Sequence, residues 1–253
     1  MRATGPADRR GQANIGKAGD ASGSGSMHER VYQTLRQRIL VGGILPGRPV
    51  TVRGMAKQLG VGVMPVREAV RRLIAERALE LRDNRRVCVP AMTPGKFDEI
   101  IFARCQLEPE LAQRALPNID AAAMAGIEAI DEAMNRSIAA GDAGTYMRDN
   151  FEFHFAIYRR AGAETLLHLV ESVWLQFGPF MRVAYGRSGT AELAGGHSGV
   201  RRAIRSGNAK ALAAAITADI MHGMRMTGEL ALAGEREAPP PNVLGKPRGA
   251  RSP

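Results

Sequence analysis

Hydrophobic residues recur every three or four positions along most of the chain, a period that predicts amphipathic helices. The repeat starts with Val31, Leu35 and Ile39 and continues, with one interruption, toward the C-terminus. In the interruption, residues 79–82 and 87–89 alternate between apolar and polar side chains, which is typical of β-strands. The pattern therefore predicts a mainly α protein with one small β element.

The β element follows two short helical patterns that are separated by a turn. The patterns cover residues 52–59 and the segment from Pro65 onward, with the turn at residues 60–62. Arg67 and Arg71 lie one helical turn apart, beside the apolar stripe of the second helix. A major groove accepts a helix with an apolar back and a cationic front, so the element order predicts a winged helix-turn-helix. The stripe consists of Val66, Val70, Leu73 and Ile74.

Positive charge is concentrated in this region. Residues 28–90 carry thirteen basic and five acidic side chains, which accounts for +8 of the net charge of +10. Residues 91–234 carry fourteen basic and sixteen acidic side chains. A local basic cluster is what phosphate binding requires, while a merely solvated basic surface is the alternative interpretation. Arg85 and Arg86 fall at the predicted tip of the wing, near phosphate or the minor groove.

Composition narrows the class of protein further. No apolar run approaches the roughly 18 residues of a membrane span, and the N-terminal stretch lacks the apolar centre of a secretory signal. Cys88 and Cys105 are too few for a disulfide framework or a cysteine zinc site, so a cytoplasmic setting is expected. Residues 1–26 and 235–253 are expected to be disordered, with Met27 as a candidate native start.

Residues 93–234 show helical patterns throughout. Six such patterns are separated by short segments that contain Gly, Pro or Asn. Short connections favour antiparallel neighbours, so an all-α antiparallel bundle is predicted. We therefore expect a DNA-binding domain over residues 27–92, followed by a helical effector-binding and dimerisation domain over residues 93–234.

Side chains that can ligate a metal occur on three of the predicted bundle helices. Asn150 and His154 are four residues apart and share a helix face, His197 begins a later helix, and Asp219 lies on the last one. Two imidazoles with oxygen donors could hold one divalent cation. Spacing alone supports this weakly, because a histidine on a partly apolar face is commonly a buried or rim residue. His222, one turn beyond Asp219, is a less favoured donor.

The N-terminal region resembles the DNA-binding domain of the GntR family of transcriptional regulators. The resemblance rests on the run VYQTLRQRILVGGILPGRPVTVRGMAKQLGVGVMPVREAVRRLIAERALELRDNRRVCVP, and above all on its PVREAVRRL core. It implies that Arg53 on the second helix and Arg67 on the third contact DNA.

Two departures from the family pattern bear on DNA reading. The family usually has Ser or Thr, then Arg, then Thr before the proline, where this chain has Gly62, Val63 and Met64. A hydroxyl helix cap, typically worth about 1 kcal/mol, and a DNA-reading arginine are thereby absent. At the wing tip Arg86 replaces a family glycine, so we expect backbone strain there. Weakened sequence specificity, offset by the extra wing arginine, is the resulting hypothesis.

The C-terminal region resembles the FCD-type ligand-binding domain of the FadR subfamily, an all-helical bundle. That domain's pattern has Asp or Asn, three residues, then His; later a His that begins a helix; and another His about twenty residues on. Asn150, His154 and His197 match the first three positions, whereas Asp219 stands at the fourth. The resemblance implies one divalent metal, zinc, manganese or nickel, held by these four residues.

The same resemblance points to Arg104 and Glu108 as effector-binding residues on the first bundle helix. It implies that the arginine faces the cavity, where a guanidinium can grip a carboxylate through two hydrogen bonds. The alternative is a surface ion pair between the two side chains at i and i+4, worth a few tenths of a kcal/mol.

Together these patterns predict a ligand-responsive transcription factor. We expect a homodimeric repressor that binds double-stranded operator DNA and responds to a small organic acid. Enzymatic activity is not expected, because the chain has no HExxH motif and no nucleophile elbow. Two alternatives stay open: a metal-dependent all-α hydrolase whose His/Asp site activates water, and a dimeric DNA-binding protein without an effector.

Overall fold

The computed structural model describes residues 26–82, 86–188 and 196–236, and within these ranges the protein is mainly α-helical. The predicted fold class, a winged helix-turn-helix followed by a helical bundle, is confirmed. The elements in chain order are α1 (Met27–Leu40), β1 (Val50–Thr51), α2 (Val52–Leu59), α3 (Val63–Ala75), β2 (Glu80–Arg82), β3 (Arg86–Cys88), α4 (Pro94–Ala115), α5 (Ala121–Ala139), α6 (Ala143–Tyr158), α7 (Glu164–Ser188), α8 (Ser198–Arg205) and α9 (Ala209–Arg236).

Helices α1 to α3 pack against a three-stranded antiparallel sheet. The strand order is β1-β3-β2, and Val87 of the central strand pairs with Val50 on one side and Leu81 on the other. Val87 itself is buried, whereas Leu81 is exposed. The alternation of residues 79–82 and 87–89 thus forms the wing as predicted.

Local caps determine where the two helices of the helix-turn-helix begin and end. The Thr51 hydroxyl accepts a hydrogen bond from the Gly54 amide at 3.0 Å and begins α2. Gly60 ends α2 in the left-handed conformation, with φ of 65°. Helix α3 begins after Gly62, two residues before Pro65, and Gly62 has no side chain that could accept a hydrogen bond from the first turn. The expected loss of a hydroxyl cap on α3 is therefore confirmed.

The expectation of backbone strain at Arg86 is wrong. Arg86 lies in β3, where it pairs with Thr51 and Arg82, so its backbone is extended. Among the described residues, the non-glycine residue with positive φ is Arg77, at 59°. Arg77 follows the end of α3, where its amide and that of Ala78 bond back to carbonyls of the last turn. The left-handed residue thus lies at the helix end and not in the wing strands.

Helices α4 to α9 form the bundle, whose starts follow the capping rules. Asp142 accepts hydrogen bonds from the Gly144 and Thr145 amides, both at 3.0 Å, and Asn208 accepts one from the Ala211 amide at 3.0 Å. The core between these helices is rich in aromatic side chains. Its largest fully buried members include Phe153, Phe155, Tyr158, Trp174 and Phe177.

Helix α7 joins the bundle to the DNA-binding domain. On one side it packs along α1, where Arg36 and Glu171 form an ion pair at 2.9 Å. A β-carbon added at Gly178 would overlap the backbone carbonyl oxygen of Leu40, the last residue of α1. The two backbones therefore approach closely because residue 178 lacks a side chain.

In the part of the chain that the structure describes, no helix combines the length and apolar character needed to cross a bilayer.

Candidate functional site

The outward face of α3 is open to solvent. Arg67 is exposed, and its Nη1 lies 3.8 Å from the sulfur of Met64. The side chain of Arg71 is 70% exposed and makes only a loose contact with Glu68, at 3.6 Å. Arg53 on α2 and Arg86 on β3 are also exposed, while Arg85 lies outside the described residues. The bundle does not cover this arginine face, so it is free to meet a DNA duplex.

The inward face of α3 is fixed by apolar packing and by one arginine. Val66 and Leu73 are fully buried. Arg72 is turned away from the DNA-facing side: its Nη1 bonds to Glu29 at 2.6 Å, and its guanidinium lies 3.5 Å from the centre of the Tyr32 ring. Arg72 therefore holds α3 against α1, which distinguishes it from Arg67 and Arg71.

In the bundle, three of the predicted metal-site side chains meet. His154 of α6, His197 in the turn before α8 and Asp219 of α9 offer ligand atoms that all lie within 4.8 Å of one another. His154 Nε2 is 3.1 Å from Asp219 Oδ2, and His197 Nε2 is 3.5 Å from Asp219 Oδ1. Both histidines are buried. His222 is exposed and is not part of this cluster.

Asp219 carries a negative charge at neutral pH. Burial raises the pKa of its carboxyl, but the hydrogen bond to His154 and the electrostatic attraction of His197, His154 and Arg104 outweigh burial. The pKa of Asp219 therefore lies well below its usual value of 3.8. An ionised carboxylate between two imidazoles is a donor set that suits zinc, manganese or nickel.

Asn150 lines the same small cavity as the cluster. The cavity measures about 30 Å³, which is close to the volume of a single water molecule or ion. Asn150 is buried and lies one turn before His154 on α6. An amide oxygen is a ligand that a divalent cation accepts, so the fourth predicted donor also fits a cation in this cavity.

The spacing argument did not single out Asp131, which contacts the cluster from α5. Its Oδ1 lies 3.3 Å from His197 Nδ1, and its Oδ2 lies 3.1 Å from Arg201 Nε. A signal was present in the sequence, because Asp131 falls in the apolar stripe of α5 between Ile127 and Met134. A carboxylate at a core position needs buried partners, which here are an imidazole and a guanidinium.

Arg104 and Glu108 form their predicted i, i+4 pair, but the pair is buried, and the interpretation as a surface pair is wrong. Their side chains are 4% and 0% exposed, and Arg104 Nε lies 2.6 Å from Glu108 Oε1. Burial lowers the pKa of Arg104, but Glu108 more than offsets this, so the pKa is raised and the guanidinium stays charged. Arg104 lines the cavity. Glu108 lies behind it, holding Tyr158 at 2.9 Å and Trp174 at 3.1 Å.

Two family models match the chain. The model of bacterial regulatory proteins of the GntR family matches residues 27–89, and the FCD domain model matches residues 99–222. The first interval is the winged helix-turn-helix, and the second contains all members of the histidine cluster. The fold and the two resemblances inferred from the motifs thus agree with these matches.

Two proteins similar in sequence to this chain are named as transcriptional regulators. The HTH-type transcriptional regulator McbR of Escherichia coli is 29% identical over 168 residues, which are 66% of this chain and 76% of that protein. The HTH-type transcriptional repressor GlaR of the same species is 26% identical over 148 residues, or 56% of this chain and 67% of that protein.

Two solved structures share the fold. The structure of E. coli McbR/YncC has a TM-score of 0.78 at 23% identity, covering 81% of this chain and 99% of that one. A GntR-type regulator from Rhodococcus sp. RHA1 has a TM-score of 0.66 at 21% identity, with the same coverage.

The families and relatives are transcriptional regulators, so the prediction that this protein is not an enzyme is confirmed. With an exposed arginine face on α3 and both family models matched in order, the chain belongs to the GntR family of bacterial regulatory proteins and is a transcriptional regulator that carries an FCD domain.

Proposed function

We propose that the protein is a homodimeric repressor whose operator binding is released by a small carboxylate bound in the helical domain, with help from one divalent metal. The observation that carries this proposal is the cluster of His154, His197 and Asp219, buried around a cavity that Arg104 also lines. Buried clusters of charged and polar side chains that line a cavity are more frequent at functional sites than elsewhere in a protein core, which supports a binding role here.

Four side chains would hold the metal. His154 and His197 offer imidazole nitrogens, Asp219 a carboxylate and Asn150 an amide oxygen. A bound divalent cation would supply a positive charge for one oxygen of an effector carboxylate. Zinc, manganese and nickel all accept imidazole and oxygen donors, and the geometry does not choose among them.

Arg104 would bind the same effector from the other side. One edge of its guanidinium is held by Glu108, while its Nη1 lies 3.5 Å from the sulfur of Met224. A sulfur is a weak acceptor, so a carboxylate is a better partner for this edge. The cavity of about 30 Å³ is far below the roughly 300 Å³ at which ligand pockets usually begin, so a small effector must open it.

A larger groove lies elsewhere, at the junction of the two domains. It measures about 650 Å³ and is lined by residues of α3, β2, α4 and α7. No histidine lines it, and Arg104 does not reach it. We therefore place the effector at the histidine cluster in spite of the groove's greater volume.

Helix α7 would carry the signal to the DNA-binding domain. Phe177, Met181 and Tyr185 of α7 line the cavity, whereas Glu171 and Gly178 of the same helix contact α1. Opening the cavity would move α7 and hence the helix-turn-helix. The effector must bind one domain arrangement more tightly than the other for this to switch DNA binding.

Two copies of the chain would read the operator. A dimer presents two α3 helices about one DNA turn apart, which matches the spacing of the half-sites in a palindromic operator. The protein would act in the cytoplasm. Exposed Arg53, Arg67, Arg71 and Arg86 would contact bases or phosphates in each half-site.

The test combines calorimetry with DNA binding on the full chain. Zinc, manganese, nickel and a set of small carboxylates are titrated into the wild type, His154→Ala and His168→Ala. We expect binding to be lost in His154→Ala and kept in His168→Ala, because His168 is exposed on α7 and is not among the residues that line the cavity. Fluorescence anisotropy with operator-length DNA then measures release by the bound acid. If no metal and no acid binds, the proposed function is refuted in favour of the alternative, a dimeric DNA-binding protein without an effector.

A further inference from the structure

We infer that Asp131 positions His197 and that Tyr158, held by Glu108, positions His154. Each partner keeps a proton on Nδ1 of its histidine and so turns the Nε2 atom toward the metal position. The inference rests on the metal-assisted function proposed above. It assigns roles to three residues that lie outside the predicted ligand set of Asn150, His154, His197 and Asp219.

We call each chain of hydrogen bonds that ends on a histidine Nδ1 an arm. The arm to His154 consists of three buried side chains, those of His154, Tyr158 and Glu108. Glu108 is a carboxylate already bonded to Arg104, so it can only accept hydrogen bonds. Tyr158 donates its hydroxyl proton to Glu108 Oε2 at 2.9 Å. The Tyr158 oxygen has therefore used its one proton and accepts from His154 Nδ1, 3.1 Å away. Of the two ring nitrogens of His154, Nδ1 must then carry a proton.

Deprotonation of Tyr158 does not offer an alternative. Tyr158 is fully buried, and the Glu108 carboxylate 2.9 Å from its oxygen would repel a phenolate. The hydroxyl therefore keeps its proton and its direction. Because the carboxylate of Glu108 can only accept, both hydrogen bonds of this arm run in one direction: His154 donates to Tyr158, and Tyr158 donates to Glu108.

The arm to His197 is shorter. Asp131 Oδ1 lies 3.3 Å from His197 Nδ1, and the charge of the carboxylate is balanced by Arg201 at 3.1 Å. A carboxylate paired with a guanidinium accepts and does not donate, so His197 Nδ1 also carries a proton. The ring of His197 stacks on Phe153 with 4.1 Å between ring centres, which holds its plane.

Both arms leave the Nε2 atoms facing Asp219. They meet its two carboxylate oxygens at 3.1 Å and 3.5 Å. With a proton held on each Nδ1, two imidazole nitrogens and one carboxylate face a common position, where a divalent cation would supply the positive charge that they share. Partners that orient a metal-binding imidazole through its other nitrogen typically change metal affinity by about 10- to 100-fold.

The inference changes the role of Glu108. The family resemblance implied that Glu108 binds the effector together with Arg104. In the structure the Glu108 carboxylate receives hydrogen bonds from Arg104, Tyr158 and Trp174, and it does not line the cavity as far as the described residues define it. Glu108 therefore anchors the His154 arm.

The first experiment measures zinc affinity on the full chain by competition with a chromophoric chelator. Tyr158→Phe and Asp131→Asn each remove one arm. Tyr32→Phe is the matched control for the first, because Tyr32 is buried and donates its hydroxyl proton to the Glu76 carboxylate in the DNA-binding domain, away from the cavity. Glu128→Gln is the control for the second, because Glu128 lies one turn before Asp131 and pairs outside the cluster with Arg205.

We expect zinc to bind about 10- to 100-fold more weakly to Tyr158→Phe and Asp131→Asn than to the wild type, and to bind the two controls as the wild type does. Thermal unfolding of the metal-free variants separates lost folding from lost positioning. Equal zinc affinity in Tyr158→Phe and Tyr32→Phe, or in Asp131→Asn and Glu128→Gln, would overturn the inference.

The second experiment reads the protons directly by NMR of protein labelled with ¹⁵N-histidine. We expect Nδ1–H signals for His154 and His197 in the metal-free protein, and zinc to shift their Nε2 signals. Tyr158→Phe should alter only the His154 signals, and Asp131→Asn only those of His197. A wild type that binds none of zinc, manganese and nickel would refute the metal in the proposed function, whereas an unprotonated Nδ1 in the metal-free protein would refute the positioning arms.

Discussion

Replacing Gly178 by alanine tests whether helix α7 connects the two domains directly. In the interior of a helix, Gly→Ala normally stabilises a protein by about 0.5–1 kcal/mol. At Gly178 the added carbon meets the backbone carbonyl of Leu40, which cannot rotate away. Overpacking of this kind costs about 1–3 kcal/mol, so we expect a net loss of stability of about 1–2 kcal/mol.

Gly126→Ala is the matched control. Gly126 lies in the middle of α5, and no atom lies within 4 Å of the position its β-carbon would take. We therefore expect Gly126→Ala to raise the midpoint of thermal unfolding and Gly178→Ala to lower it by about 2–8 °C. A rise in both variants would refute the close approach of α1 and α7, and with it the route proposed for the effector signal.

Pro179 adds a second cost to Gly178→Ala, because a residue before proline disfavours the helical conformation. A double-mutant cycle with Arg36→Ala separates the two causes. If the alanine pushes α1 from α7, the ion pair of Arg36 with Glu171 at 2.9 Å is lost as well, and the two effects are not additive. Additive effects would assign the cost to Pro179 alone.

Three further outcomes follow from the described contacts. Arg71→Ala should weaken DNA binding and reduce the slope of log affinity against log salt concentration by about one. Arg72→Ala should leave this slope unchanged, because the side chain of Arg72 faces α1. Anisotropy titrations at several salt concentrations measure both slopes. Gly62→Ser should add the missing cap to α3 and stabilise the protein by a few tenths of a kcal/mol, measured by urea unfolding. Because the folded-state pKa of Asp219 is depressed, its ionised form stabilises the fold at pH values above its usual 3.8, and this contribution declines as the pH falls below that value. Urea unfolding across this pH range should show the difference between the wild type and Asp219→Asn shrinking with acidity; a constant difference would contradict it.

Much of the DNA-binding domain could be predicted from the sequence, because its determinants are local. The apolar stripe of α3 and the positions of Arg67 and Arg71 follow from a period of 3.6 residues, which any helix imposes. The missing cap at Gly62 could be read in the same way, since a cap acts within three residues. The expectation of strain at Arg86 is wrong because a family glycine does not by itself specify a left-handed residue, and in this chain position 86 lies inside a paired strand.

The candidate site was only partly predictable. Asn150 and His154 share a helix face wherever the helix lies, but spacing could not decide between Asp219 and His222, which are three residues apart on α9. Packing of α9 against α4 and α8 turns Asp219 toward the histidines and leaves His222 exposed. Asp131 escaped notice because the donors it supports lie on other helices.

The sequence by itself determined where helices and strands form, which arginines share the outer face of α3, and which side chains are able to ligate a metal. These depend on patterns within a few residues of one chain segment. The tertiary structure decided which donors meet, that Glu108 faces Tyr158 and Trp174 instead of the cavity, and that α7 lies directly against α1 at Gly178. Each of these contacts joins different elements of the fold, and that of Tyr158 with Glu108 spans 50 positions of the chain. Their geometry therefore depends on how whole helices rotate and pack, which a local pattern does not specify.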